Sequence, residues 1–311
     1  MTRKVYAVFG NPVLHSCSPQ LFNSVFSEIP VEAYYTRIRP ANAANIPELI
    51  RHLNLAGANI TTPFKTEVMT HLDWLSDEAE IIGGVNTIIN NQGYLKGYNT
   101  DYLGVSRSLQ EAGLHLQGSR CLVLGAGPAA CAAVYALINE GADVTVVNRT
   151  NHKAKEIANR FGCSSADMDK LDSAILECDI LVSALLPEAN PLANIKVPEW
   201  ITAIDANYRA STLSQHLALS GCRTITGKRW LLHQAAASFN LFLNFNPKIE
   251  LMAKGLEAQP QREAARYQMI GKDTLRSIHT EDFDMLVSVP DSSTMTFRTI
   301  LDEEISKAFV G

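Results

Sequence analysis

Six consecutive residues, Gly125-Ala126-Gly127-Pro128-Ala129-Ala130, follow the pattern G-x-G-x-x-G/A. That pattern cradles a dinucleotide when a strand leads into it and a helix leaves it. Here Leu122-Val123-Leu124 precedes it and an alanine-rich apolar stretch follows. In that setting Gly125 permits a tight turn and Gly127 lets the backbone approach a pyrophosphate. Ala130 lets helix and strand pack closely. Pro128 suits the first helical position, where an N–H would be unbonded anyway. The helix N-terminus adds free N–H groups and the positive end of a dipole. The plain alternative is an ordinary turn between strand and helix. The next strand ends in Asn148-Arg149-Thr150, with Lys153 and Lys155 close behind. NAD sites carry a carboxylate there for the ribose 2′-hydroxyl. None is present, and a guanidinium can grip a 2′-phosphate. The pattern predicts NADP(H), against the alternative of a solvated basic turn.

A second chemistry sits earlier in the chain. Asn11-Pro12-Val13-Leu14-His15-Ser16-Cys17-Ser18-Pro19, Asn59-Ile60-Thr61-Thr62-Pro63-Phe64-Lys65, Gly83-Gly84-Val85-Asn86-Thr87 and Asn99-Thr100-Asp101 are rich in small hydroxyls and amides. Such groups hydrogen-bond a polyhydroxylated ligand from several directions. Each segment also has a plainer reading. Ser18 and Asp101 are good helix N-caps, the amides are good turn residues, and Lys65 alone is a surface charge.

These segments need elements to position them. Strand-like runs at 5–10, 33–37, 57–60 and 85–90 alternate with helical stretches at 20–27, 46–53 and 67–73. Gln92-Gly93 reads as a hairpin turn. Farther on, strands at 122–124, 144–147, 180–183 and 201–205 alternate with helices at 128–140 and 152–161. Repeated β-α-β units imply a parallel sheet with helices on both faces. Residues 227 to 253 read as one helix.

The chain has 311 residues, which predicts two domains, and its 46% hydrophobic and 19% charged composition suits a folded globular protein. A net charge of −5 gives no reason to expect nucleic acid or an anionic membrane surface as partner. Cys17, Cys121, Cys131, Cys163, Cys178 and Cys222 form no C-x-x-C pair, so reduced thiols in a cytoplasmic protein are expected, with no metal site. The longest apolar run, 121–138, is broken by Gly125, Gly127 and Pro128, which argues against a membrane span. Residues 1–4 lead straight into a strand-like run, with no secretory leader expected.

Taken together, the four segments, the glycine turn, Asn148-Arg149-Thr150 and Gln234-Ala235-Ala236 resemble the shikimate dehydrogenase family in order and spacing, over about residues 5–253. The resemblance implies an α/β protein. Its N-terminal α/β substrate domain would span 1–102 plus 228–254, and its Rossmann-like doubly wound NADP domain 103–227, with a cleft between them. Residues 255–311 would be a C-terminal appendage for packing or dimerisation. It implies that Ser16 and Ser18 hold a substrate carboxylate. Lys65 would be the catalytic lysine and Asp101 its acidic partner. Asn59, Thr61, Asn86 and Gln234 would bond substrate hydroxyls, and Tyr208 would lie near substrate and nicotinamide. Gly125, Ala126, Gly127, Pro128, Ala129, Asn148, Arg149, Thr150, Lys153 and Gly227 would bind NADP(H). The implied reaction is reduction of 3-dehydroshikimate to shikimate by a monomer or homodimer. A relative acting on quinate or an amino-shikimate, and a non-catalytic NADP sensor, stay open beside it.

Several positions depart from the family pattern. Tyr98 and Tyr102 flank Asn99-Thr100-Asp101 where Asp and Gly are common. Val182-Ser183-Ala184-Leu185-Leu186-Pro187 lacks a Thr-Ser-Ser-Gly character, Trp230 replaces a smaller apolar residue, and Lys153 stands for Arg. The larger side chains are expected to narrow the pocket or alter domain closure. In the tail, 284–289 reads as a strand and 296–309 as an amphipathic helix. His279, Glu281, Asp282 and Asp284 read as a solvated turn.

Overall fold

The computed structural model describes residues 4–257 and, beyond them, the backbone of two strands, Tyr267–Ile270 and Met285–Ser288. In chain order the elements begin with β1 (Lys4–Phe9), α1 (Ser18–Phe26), β2 (Ala33–Arg39), α2 (Asn45–His52) and β3 (Gly57–Ile60). A 3-10 turn (Glu67–His71) precedes β4 (Trp74–Leu75), α3 (Asp77–Ile82), β5 (Thr87–Asn91), β6 (Tyr94–Tyr98) and α4 (Asp101–Glu111). The middle holds β7 (Arg120–Leu124), α5 (Pro128–Asn139), β8 (Asp143–Val147), α6 (Asn151–Phe161), β9 (Ser164–Ala166), α7 (Leu171–Leu176) and β10 (Ile180–Ser183). Then come β11 (Thr202–Asp205), α8 (Thr212–Leu219), β12 (Arg223–Ile225), α9 (Gly227–Leu243), α10 (Ile249–Glu257), β13 (Tyr267–Ile270) and β14 (Met285–Ser288). The chain forms two compact units, Met1–Asn99 with Ala235–Gly311, and Thr100–Gln234.

The first unit is built on a sheet of order β13-β14-β2-β1-β3-β5-β6-β4. Its β1, β2 and β3 run parallel, and β5 turns antiparallel against both β3 and β6. The Gln92-Gly93 hairpin is as the sequence implies. Gln92 has φ 53° and Gly93 φ 92°, the left-handed pair that a two-residue hairpin requires. One sheet face buries Phe9, Ile38, Ile46, Ile50, Leu55 and Ile60. Elsewhere in the unit an aromatic cluster forms around Phe22, which lies 4.4 Å from the Tyr35 ring, 5.7 Å from Phe239 and 5.8 Å from Phe242. Gly57 is small for this cluster's sake, since a Cβ there would meet the Phe242 ring at 2.7 Å.

Three readings of this unit need correction. Residues 67–73 form a short 3-10 turn that gives way to β4, too short to be an α-helix. Helix α3 was not expected, yet its signals are present. Ser76 accepts the Ala79 N–H at 3.2 Å, and Gly83 ends the helix at φ 75°. The stretch 227–253 is two helices. Asn244 adopts φ 51° after α9, and Pro247, lacking an N–H, keeps the helix from resuming before α10. In the tail, β14 pairs parallel with β2 through Leu286↔Ile38 and Val287↔Arg39, and β13 pairs with β14. The helix expected over 296–309 and the group His279, Glu281, Asp282 and Asp284 lie outside the described residues.

The second unit has an all-parallel sheet of order β12-β11-β10-β7-β8-β9. Read from β9, that is the 3-2-1-4-5-6 order of a dinucleotide-binding sheet, with its switch point between β7 and β10. Leu122, Leu124, Val147, Leu181, Ile201 and Ala203 pack within one core cluster. All six cysteines are free thiols, and burial pushes Cys121 and Cys178 up to about 12. Two of the larger residues that depart from the family pattern, Trp230 and Tyr102, pack within this unit. Trp230 is buried in α9 with its ring over Gly104 of α4, where a Cβ would fall 2.4 Å from it. Tyr102 meets Tyr135 edge-on, with ring centroids 5.1 Å apart. Farther along the same helices, Arg229 pairs through both arms with Glu111, and His233 Nε2 lies 3.1 Å from that carboxylate.

Two outcomes follow. Truncating Phe22 removes a ring fully enclosed by aromatic neighbours, so Phe22→Ala costs about 3–5 kcal/mol. The urea midpoint measures this, with the m-value unchanged. The second concerns acid. Burial, the largest influence on His233, holds its imidazole below 6.5 despite Glu111. On Glu111 burial raises the carboxyl, but hydrogen bonds from Arg229 and His233 outweigh it and leave it below 4.5. Both groups therefore bind fewer protons folded than unfolded. Stability is lost first as pH falls from 6.5 through the folded His233 pKa, then from 4.5 through that of Glu111. His233→Gln flattens the first loss, read as urea midpoints across that window, and an unchanged slope contradicts the assignment.

Candidate active site

In the first unit, loops leaving β1 and β3 and entering β5 meet at one end of the sheet. Asn11 N–H donates to Thr62 O at 3.1 Å, Thr61 N–H to Phe9 O at 2.8 Å, and Val85 N–H to Lys65 O at 2.8 Å. Asn99 Nδ2 donates to Gly84 O at 2.8 Å, bringing in the end of β6. Gly10 is required for this approach, since a Cβ would fall 2.5 Å from the Thr61 methyl. Ser16, Ser18, Asn59, Thr61, Lys65 and Asn86 are thus carried on linked segments. Ser16, Thr61 and Lys65 are half-buried.

The paired serines form one small unit. Ser16 Oγ donates to Ser18 Oγ at 3.2 Å and accepts the Ser18 N–H at 3.3 Å. The N-cap of α1 is Cys17, and Ser18 is the first helical residue, so the alternative of Ser18 as N-cap falls. Likewise Thr100 is the N-cap of α4, and Asp101 is its buried first residue.

Beneath these loops lies a buried polar network that sequence reasoning missed. The Tyr35 hydroxyl donates to Asn59 Oδ1 at 2.7 Å. Asn59 Nδ2 faces Asn86 O at 3.0 Å, Thr87 Oγ1 at 3.1 Å and Ser238 Oγ at 3.0 Å. Thr87 Oγ1 donates to Asn86 Oδ1 at 2.9 Å. The Asn59 carboxamide is therefore engaged on both sides by the protein. Ser238 sits among apolar neighbours in sequence and Tyr35 in a mixed strand, and only strand and helix periodicity hints that they face inward.

The second unit carries the cofactor turn and the remaining predicted residues. Gly125 sits at φ 116°, where a Cβ would meet Ala184 O at 2.9 Å. A Cβ on Gly127 would meet nothing within 4 Å, leaving open space over the N-terminus of α5. Ser183 Oγ, buried at the end of β10, has no hydrogen-bond partner among the described residues. An open glycine turn, a free helix N-terminus and an orphaned hydroxyl at the switch point fit a dinucleotide. Arg149 and Lys153 are exposed at the start of α6, and Asn148 Nδ2 shapes their turn by donating to Thr150 O at 3.0 Å. Gly227 is buried, with Asp205 O and Asn207 O so close that no side chain fits. Asp205 accepts from Asn207 N–H at 3.1 Å, from its Nδ2 at 2.9 Å, and from the Ser211 hydroxyl, fixing the loop that bears half-buried Tyr208. Thr100 Oγ1 donates to Gln234 O at 3.0 Å, tying the start of α4 to Gln234. Among the described residues no helix is long and apolar enough to cross a membrane.

A chain that combines an N-terminal α/β substrate-type unit with a Rossmann-type unit bearing an open phosphate turn has the build of the dinucleotide-dependent dehydrogenases. Comparison with known proteins narrows it. The family model for the shikimate dehydrogenase substrate binding domain matches residues 8–88, and that for shikimate / quinate 5-dehydrogenase matches 107–206. Shikimate dehydrogenase (NADP(+)) of Methanosarcina acetivorans is 32% identical over 272 residues, covering 81% of this chain and 97% of its own length. That of Pyrococcus abyssi is 34% identical, covering 81% and 96%. The crystal structure of shikimate 5-dehydrogenase from Thermus thermophilus in complex with NADP(H) and shikimate superposes with TM-score 0.75 at 32% identity, covering 82% of this chain and 98% of that one. The chain belongs to the shikimate dehydrogenase family.

Proposed function

We propose that this chain catalyses the reversible NADPH-dependent reduction of 3-dehydroshikimate to shikimate, which feeds chorismate and aromatic amino acid synthesis. One observation carries the reading: the segments that bear the hydroxyls, the amides and Lys65 are linked through their backbones at one sheet end, in a chain 32–34% identical to NADP(+) shikimate dehydrogenases. Ser16 and Ser18 donate to the substrate carboxylate. Thr61, Asn86 and Gln234 bond the ring hydroxyls, Asn59 fixes the segment bearing Asn86, and Tyr208 takes a place near substrate and nicotinamide. Gly125, Ala126, Gly127, Pro128 and Ala129 hold the pyrophosphate, and Gly227 keeps the backbone close. Asn148, Arg149, Thr150 and Lys153 take the 2′-phosphate, with Lys153 as a point charge where Arg would be bidentate.

NADPH, when bound, supplies the hydride for the ketone carbon. The Lys65 ammonium offsets the negative charge growing on the ketone oxygen and gives that oxygen a proton. Asp101 accepts a hydrogen bond from the hydroxyl being formed. In the oxidative direction Lys65 takes the proton back. The reading also puts the chain in the cytoplasm as a monomer or homodimer.

The test is absorbance of reduced nicotinamide with shikimate or quinate, each against NADP and NAD. Reduction of NADP with shikimate well above the other three pairs is expected. Silence with shikimate despite measurable NADPH binding would overturn the reading. In the same assay Lys65→Ala lowers kcat at least about a hundredfold with little change in KM. A KM effect with kcat intact would make Lys65 a binding residue instead.

A further inference from the structure

Strand β2 presents Tyr35 and Arg37 on one face, two residues apart, with α1 packed against the strand. Arg37 is only 5% exposed. A guanidinium taken this far from water has to be given hydrogen bonds, and their destinations reveal what it is for. Arg37 Nε and Nη2 both donate to the Ser16 carbonyl, at 3.0 and 2.7 Å. Nη2 also donates to Gln20 Oε1 at 2.9 Å, on the first turn of α1. Two donors on one carbonyl fix its position and direction far more tightly than a single bond. Ser16 and Ser18 are in turn hydrogen-bonded to each other.

We infer that Arg37 is a positioning residue for substrate recognition, holding the Ser16 backbone so that the Ser16 and Ser18 hydroxyls are set in advance for a carboxylate. The inference rests on the proposed role of those serines. Without the guanidinium the loop of 12–18 must order itself on binding, so the loss falls on affinity for the carboxylate and leaves the reacting end alone.

The test compares shikimate with its methyl ester, which keeps the ring and loses the carboxylate charge. In Arg37→Met, KM for shikimate rises about tenfold, the scale of hydrogen bonds from a charged group, while kcat and KM for NADP stay within about twofold. KM for the ester moves little, so discrimination between acid and ester shrinks. Arg37→Lys keeps the charge without the fork and recovers part of the discrimination. Gln20→Ala, which frees one arm, lowers it mildly; both also serve should Arg37→Met not fold. Hydrogen exchange of the 13–18 amides speeds up in Arg37→Met while that of β1 and β2 does not. Equal losses for acid, ester and NADP, or unchanged discrimination in a variant whose loop has loosened, overturn the inference. Wild-type protein that is indifferent to acid and ester overturns the carboxylate role of the serines, and loop exchange alone then decides whether Arg37 orders the loop.

Discussion

A buried amide left unpaired costs about 1–3 kcal/mol, and the substrate-side unit is arranged around one that is fully paired, Asn59. Its carboxamide joins β2 through Tyr35, β5 through Asn86 and Thr87, and α9 through Ser238. The Asn86 carbonyl takes both Asn59 Nδ2 and the Ile60 N–H. The loops bearing Thr61 and Asn86 therefore start from residues whose places are fixed by the same few hydrogen bonds. Low local dielectric makes such a network strong when complete and costly when any member is lost. Around it the aromatic cluster of Phe22, Tyr35, Phe239 and Phe242 excludes water, and this is what keeps the network buried.

The second unit solves its problem with backbone. Its glycine turn works by what is missing: side chains at Gly125 and Gly227 would collide with carbonyls of neighbouring loops. The parallel order places the turn at the sheet's switch point, where the N-terminus of α5 has no side-chain cap and suits an anion. Just before and within the first turn of α6, Arg149 and Lys153 stand exposed. One unit thus carries its loops on a network of buried polar side chains, and the other keeps its turn open with glycine.

Much of this was legible in the sequence. β3 and β10 fall at the expected residues, and the β-α-β alternation from β7 onward gives the parallel sheet. The glycine turn was readable because G-x-G-x-x-A needs only local context. What was hidden depends on contacts distant in sequence. Nothing near Tyr35, Arg37 or Ser238 distinguishes them from ordinary strand and helix residues, because their partners lie 24, 21 and 179 residues away. Trp230 read as an intrusion because its complement, Gly104, is on another helix. The break between α9 and α10 was missed because long apolar periodicity masked Asn244 and Pro247. The strand β13 was missed because a polar stretch precedes it.

The claim that one shared network fixes the substrate-side unit is tested most directly by a double-mutant cycle between Tyr35→Phe and Ser238→Ala. These two side chains both bond Asn59, one at its oxygen and one at its nitrogen. Unfolding free energies of the two single variants and the double variant give the coupling. A network acting as one unit predicts a coupling of at least about 0.5 kcal/mol. Additivity within about 0.3 kcal/mol would mean that the two hydrogen bonds act independently and that Asn59 is not the joint of the unit.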